Sequence, residues 1–287
     1  MAQPMVPMEN AMDANSATSE DAFHAFEHAG WEAVPRQYDE SFAALTVQSI
    51  EPLLDATGVR DGLRVLDVAT GPGYAAAAAA RRGANVVGLD FSAAMVAVAQ
   101  RKHPTLEFRE GDAEELPFTD DSFHAVVMNF GLLHVPRPER AVREAHRVLR
   151  PRGRFGFTVW APPEQAIGLG LVLRAIQRHG DMSVPLPPGP PFFRFSDSGE
   201  CMRVLQDAGF ESPRVDLVPQ VWRLRSPEVL FEIMQNSTVR TAALLGAQTS
   251  HALDAIRDEL RNATAAFQNG DVIELAMPSV LASAKKG

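Results

Sequence analysis

Between Val65 and Tyr74 the chain reads Val-Leu-Asp-Val-Ala-Thr-Gly-Pro-Gly-Tyr. Asp67 closes a short apolar run, Ala69 follows it, and Gly71 and Gly73 permit a tight turn into an alanine-rich stretch. Glycine there also lets a ligand come close to the backbone. A strand, a glycine loop and a helix start together make a seat for a nucleoside cofactor. With Ala76 the spacing also satisfies a relaxed dinucleotide fingerprint, so charge has to separate the two readings. A dinucleotide lays its anionic pyrophosphate on such a loop, where Asp67 repels it. S-adenosylmethionine (SAM) has no phosphate and carries an ammonium and a sulfonium, which a carboxylate beside the loop attracts.

Three further sites follow at similar intervals. Asp90 ends the next apolar run, about 20 residues beyond the glycines, where a carboxylate accepts hydrogen bonds from both ribose hydroxyls. That feature is common to both cofactors. Phe91 and Met95 are placed to pack on an adenine face or simply in the core. At Asp112-Ala113 an acid can accept from the adenine amino group while the following backbone N–H donates to a ring nitrogen. Asn129 and Phe130 end the fourth apolar run and are expected beside the cofactor, with His134 near the transferable methyl. An oxygen or carbon acid needs a proton acceptor, and an imidazole can act as one near neutral pH; the other role open to His134 is a bond to nearby backbone. His24 and His28, four apart on an expected N-terminal helix, can reach the site from a lid. As metal ligands they lack a third partner, and no metal is expected.

The elements that must hold these residues alternate. Strands are expected at Arg64–Val68, Asn85–Leu89, Thr105–Arg109, Ala125–Asn129 and Arg154–Trp160. Helices are expected over Tyr74–Arg82, stopping at Gly83, over Ser92–Lys102 with Ser92 as N-cap, and over Pro138–Leu149 with Pro in the first turn. Such alternation with short connections gives a parallel sheet with helices on both faces. After Trp160 the order changes. A helix near Glu164–His179 precedes a proline-rich loop, Pro185–Pro191, and Asp197 with Glu200 has capping-box spacing before a helix ending at Gly209. A strand around Arg214–Leu224, helical stretches near Pro227–Leu245 and Ser250–Phe267, and a last strand over Val272–Ser283 complete the chain. The two helical stretches are expected to cover the carboxyl edge of the sheet, where open α/β sheets bind ligands.

Composition narrows the function classes. At 287 residues and 46% hydrophobic, the chain is long enough for one large α/β domain with an appended cap. A net charge of −9 and a pI near 5.4 argue against nucleic acid, which calls for a Lys/Arg surface. The single cysteine, Cys201, excludes an internal disulfide framework and multi-thiolate metal sites. Residues 1–21 lack the basic and apolar regions of a leader and are read as a mobile tail. No run is long enough to span a bilayer, so a cytoplasmic protein is expected.

The ordered set Asp67–Gly71–Gly73, Asp90, Asp112–Ala113 and Asn129, followed by Ala141–Trp160, resembles the class I SAM-dependent methyltransferases. Within them it is similar to the branch of ubiquinone/menaquinone-biosynthesis C-methyltransferases and bacterial natural-product methyltransferases. The resemblance covers about a third of the chain, roughly Leu63 to Trp160. It implies a Rossmann-like, seven-stranded, mostly parallel sheet with an antiparallel last strand and helical cap insertions. It also implies an N-terminal helix over the cofactor, with Trp31 and Tyr38 where such proteins carry an aromatic. Tyr38 then offers a hydroxyl to the SAM carboxylate, a ring face to the sulfonium, or packing alone. The expected division is a tail (1–21), lid helices (22–60), a SAM-binding core (61–160) and the rest of the sheet with substrate-cap insertions (161–287).

The expected activity is methyl transfer by in-line displacement to an oxygen, carbon or nitrogen of a small molecule, leaving S-adenosylhomocysteine, in a monomer or homodimer. No Asp/Asn-Pro-Pro-aromatic tetrapeptide follows the fourth strand, which weighs against amino methylation of nucleic-acid bases or protein glutamine. The characteristic N-terminal signature of the quinone enzymes is also missing, so their substrate is not carried over. The alternatives are a SAM-binding partner or sensor without catalysis, and an NAD-dependent oxidoreductase. The latter is weakened by Asp67 and by the lack of a Tyr-x-x-x-Lys donor.

Overall fold

A central sheet runs in the order β3-β2-β1-β4-β5-β10-β6. Its strands are β1 (Arg64–Val68), β2 (Asn85–Asp90), β3 (Glu107–Glu110), β4 (Phe123–Asn129), β5 (Leu149–Trp160), β6 (Phe210–Val218) and β10 (Ser279–Lys286). The computed structural model describes residues 10–287. From β3 to β5 all pairs are parallel, whereas β10 lies antiparallel between β5 and β6. The sheet is therefore seven-stranded and mostly parallel, with its last strand reversed.

Near-continuous apolar runs form the central strands because both faces are covered. Leu66, Val126, Phe155 and Phe157 enter one core, while Val65, Ala125 and Val127 enter the other with Leu53, Ala76 and Ala79. Five alanines of helix Tyr74–Arg81, Ala75 to Ala79, are buried; small side chains let it lie close against the sheet. Ser92 caps helix Ala93–Lys102, its hydroxyl accepting from Met95 N at 3.1 Å. Asp197 does the same for helix Ser198–Asp207 through Glu200 N.

Proline changes two expected strands. The segment read as Arg214–Leu224 is two strands, β6 and β7 (Val221–Leu224), separated at Pro219-Gln220. The segment Val272–Ser283 likewise divides at Met277-Pro278 into β9 (Val272–Ala276) and β10. Proline cannot donate to a ladder, so the chain leaves the large sheet at both points. A three-stranded sheet forms beside it in the order β7-β9-β8, with β8 at Gln268–Asn269. Gln220 ties the crossing together: its carbonyl accepts from Met277 N at 2.9 Å and its amide donates to Ser279 Oγ at 2.9 Å.

Other boundaries also move. The stretch Pro227–Leu245 breaks at Ser237 into helices Pro227–Asn236 and Arg240–Gly246, so three helices, with Ser250–Thr264, stand between β7 and β8. Helix Ile167–His179 starts three residues later than expected. A long helix, Asn10–Ala33, begins inside the segment read as a tail; residues 1–9 lie outside the described residues. Among the described residues no helix is long and apolar enough to cross a membrane.

Candidate functional site

A cleft open to solvent runs along the carboxyl ends of β1, β2 and β4 beneath the N-terminal helix and residues 234–241. Tyr38, Asp67, Ala69, Gly71, Asp90, Phe91, Met95, Asp112, Ala113, Asn129, Phe130 and His134 all line it. Gly73 does not. It takes φ +83, and a Cβ there would stand 2.8 Å from the Phe108 ring, so its work is close packing at the helix start. Gly71, at φ +52, faces open space.

Carboxylates already hold two of the amides at the glycine loop and helix start. Gly71 N donates to Asp90 Oδ2 at 2.8 Å, Gly73 N to Thr70 O at 2.9 Å, and Ala76 N to Asp67 Oδ2 at 2.9 Å. Two acidic groups thus stand at the place where a pyrophosphate would have to lie. Asp67 is buried, and its second oxygen, Oδ1, has no partner in the structure. Burial pushes its carboxyl up to about 7, against the hydrogen bonds from Thr70 and Ala76. Burial also pushes Asp90 up to about 6, although Ser92 N and Gly71 N donate to it. A buried carboxylate oxygen without a partner favours a cationic or hydrogen-bond-donating ligand.

Ala69 (φ 53) and Phe130 (φ 58) both take the left-handed conformation where β1 and β4 end. Phe130 N is held by Thr158 O and Oγ1, at 3.1 and 3.0 Å. Asn129 lines the cleft, but its amide serves the protein. Its Oδ1 accepts from Thr158 Oγ1 at 2.7 Å and Ser49 Oγ at 3.2 Å, while Nδ2 donates to Thr46 O at 3.1 Å. It fastens the segment before β1 to the sheet. The Tyr38 hydroxyl shares a 2.9 Å hydrogen bond with Thr46 Oγ1, and burial pushes the phenol to about 12. Its ring meets Trp31 edge-on at 5.5 Å.

Helix Asn10–Ala33 lays a largely polar face over the cleft. His24 Nε2 donates to Asp112 Oδ2 at 3.1 Å, and His24 and His28 both meet Phe91 edge-on. Glu32 accepts from Ala94 N at 3.1 Å. Glu27 is fully buried, and three donors converge on it: His134 Nδ1 at 2.9 Å, Trp31 Nε1 at 3.2 Å and Arg240 Nε at 2.7 Å. A carboxylate only accepts, so the His134 proton sits on Nδ1. Its Nε2 has no protein partner among the described residues, and the ring borders the cleft. Trp31, Trp160, Leu169, Phe192, Met234 and Val239 give this end apolar walls. A second fastening lies outside: Lys102 Nζ donates to both Asp39 oxygens at 2.7 and 2.8 Å and to Tyr74 OH at 2.7 Å.

Sequence reasoning missed Glu27 and Arg240. Nothing local marks them, because their partners are 107 and 213 residues away. The one available signal was the spacing His24–Glu27–His28–Trp31, a polar-aromatic stripe on one helical face.

Comparison with known proteins bears on the same region. Residues 66–157 match the family described as Methyltransferase domain. The chain is 46% identical over 123 residues to a demethylmenaquinone methyltransferase of Beutenbergia cavernae, a match covering 41% of this chain and 51% of that one. It spans about half the length of the curated relatives it matches. Among solved structures, a putative methyltransferase from Bacillus halodurans C-125 shares the fold with a TM-score of 0.52 and 24% identity, covering 83% of this chain and 98% of the other. The cyclase SpnF does so equally, with a TM-score of 0.52 and 22% identity, covering 84% and 80%. The shared fold therefore does not fix the reaction by itself.

Proposed function

Because residues 66–157 match the methyltransferase-domain family, we propose that the chain binds SAM at the carboxyl ends of β1 and β2 and methylates a small apolar molecule. One observation carries the reading: Asp90 and Asp67 set two carboxylates against Gly71 N and Ala76 N at the glycine loop, while Asp67 Oδ1 stays buried and unpartnered beside the cleft. That arrangement refuses a phosphate and favours a ligand with a cationic end. Asp67 takes the ammonium, directly or through water, Asp90 the ribose hydroxyls, and Asp112 the adenine amino group, with Phe91 and Met95 against the adenine. When bound, SAM supplies an electrophilic methyl on a sulfonium whose sulfur departs as a neutral thioether.

The chain's own residues then have two tasks. Trp31, Phe192, Leu169 and Met234 exclude water and hold an apolar acceptor, so that positioning supplies much of the rate. His134, with Nε2 bare, takes the proton from an oxygen or carbon acid as that atom gains the methyl. Residues 22–60 act as the lid and 161–287 carry the cap that selects the acceptor.

The test is a screen of hydroxylated aromatic and carbon-acid acceptors with methyl-labelled SAM. Labelled product from the wild type, reduced about 10²-fold or more in His134→Ala, supports the reading. Tight SAM binding without product on any acceptor would favour a binding protein that has no catalysis.

A further inference from the structure

We propose that Glu27 is the positioning residue of His134: delivered by the N-terminal helix and pinned by Arg240, it fixes the tautomer that leaves Nε2 free to take a proton. The inference rests on the methyl-transfer reading above. Its premises are geometric. Glu27 is fully buried, with Trp31 and His134 donating to Oε2 and Arg240 to Oε1. Arg240 gives two further donors to Leu133 O at 2.7 Å and Pro190 O at 2.9 Å. It thus holds both the carboxylate and the backbone beside His134. Phe23 and Phe192 lie against the guanidinium, at 4.4 and 5.5 Å.

Helix docking alone is a weak reason to bury a carboxylate, because apolar residues of similar volume do that at least as well. What an apolar residue cannot do is orient an imidazole. Burial works to raise the Glu27 carboxyl, but the attraction and hydrogen bonds of His134 and Arg240 hold it below the usual range. It is therefore ionised and accepts only. The charged groups facing His134 are Glu27 from the N-terminal helix and Arg240 from the cap. Arg137, three residues on, is turned to Glu114 and Glu20, and the proline-rich loop contributes Phe192, which is neutral.

The geometry makes a sharp forecast for Glu27→Gln. The charged Arg240 Nε–H demands an oxygen more strongly than Trp31 Nε1–H does, so the amide oxygen faces Arg240 and the amide NH2 faces His134, with the Trp31 hydrogen bond given up. Nδ1 must then accept, and the proton moves to Nε2, the wrong nitrogen for a base. This is the tautomer logic by which an orienting carboxylate serves a histidine base in hydrolases.

The test is nitrogen NMR on protein labelled at histidine and saturated with S-adenosylhomocysteine, with the His134 signals assigned by their loss in His134→Gln. In the wild type at pH 7.5 we expect Nδ1 protonated and Nε2 bare, in Glu27→Gln the reverse, and S-adenosylhomocysteine affinity within threefold of wild type. The variant should lose about 10²-fold or more in turnover of any acceptor found in the screen. A wild-type His134 protonated on Nε2 would overturn the inference without recourse to a variant, as would an unchanged tautomer in a folded Glu27→Gln. Neither result touches the cofactor reading, which fails separately if the wild type does not bind S-adenosylhomocysteine.

Discussion

The cleft has two halves built in different ways. The half proposed for the cofactor is made by strand ends and the turns after them, where side chain and backbone partner are close in sequence. Asp90 bonds Gly71 N and Ser92 N, Asp67 bonds Ala76 N, and Asp112 bonds Glu114 N. The half proposed for the acceptor is assembled from the N-terminal helix, the loop after β4 and helix Arg240–Gly246, through contacts such as Glu27–Arg240 between residues 213 apart in sequence. Local backbone geometry holds the first half, and a buried ion cluster holds the second. The two should therefore respond independently to substitution.

The largest effect expected is in the cofactor half. Asp90→Ala removes a carboxylate placed for two hydroxyl donors, and SAM affinity should fall by about 10²- to 10³-fold, or ~3–4 kcal/mol at ~1.5–3 kcal/mol per charge-assisted bond. Calorimetry checks it, and Glu27→Gln in the same assay should be nearly silent. Comparable losses from both variants would break the division into halves.

Next comes a contrast within the glycine loop. Gly73→Ala meets both a positive φ and the Phe108 ring, so it should destabilise the fold by about 2–4 kcal/mol. Gly71→Ala pays only the φ, about 1 kcal/mol, yet sets a methyl in the cleft and should weaken SAM binding. Thermal unfolding and calorimetry together separate the two; equal destabilisation would contradict the packing role of Gly73.

Acidity provides a third test. Burial raises Asp67 to about 7 and Asp90 to about 6. Each holds its proton more firmly in the folded chain than at the unfolded carboxylate value near 4, so the stability they lend is present at low pH and is lost as pH rises through 6–7. A cationic ligand reverses the preference by favouring the ionised form. SAM affinity should rise about tenfold from pH 5.5 to 7.5 with proton release, read by calorimetry in buffers of different ionisation enthalpy. A flat profile would separate Asp67 from the ligand's cationic end. The smallest effect is Ser92→Ala, which removes the cap on Met95 N. It should cost ~1 kcal/mol in chemical denaturation and leave turnover unchanged.

The same contrast explains what could be read from residues alone. Asp67, Asp90 and the glycines were legible because a turn of fixed geometry demands them within a few positions, and the strand–helix alternation that carries them follows from hydrophobic period. The splitting of two strands at Pro219 and Pro278 was legible in principle, since proline cannot continue a ladder, but each apolar run reads as one strand when taken alone. Asn129 shows a subtler failure: its position at the cleft was foreseen, while its amide turned out to be committed to Thr46, Ser49 and Thr158. Arg240 carries no local mark, and Glu27 only its place in the stripe His24–Glu27–His28–Trp31. A buried charge is specified by partners that only the fold brings together.

The measurement that bears most directly on the central claim is calorimetric titration of the purified protein with SAM, S-adenosylhomocysteine and NAD, with Asp90→Ala alongside. The account predicts micromolar binding of both sulfur nucleosides, loss of that binding in the variant, and no heat from NAD. Binding of NAD, or of none of the three, would contradict it.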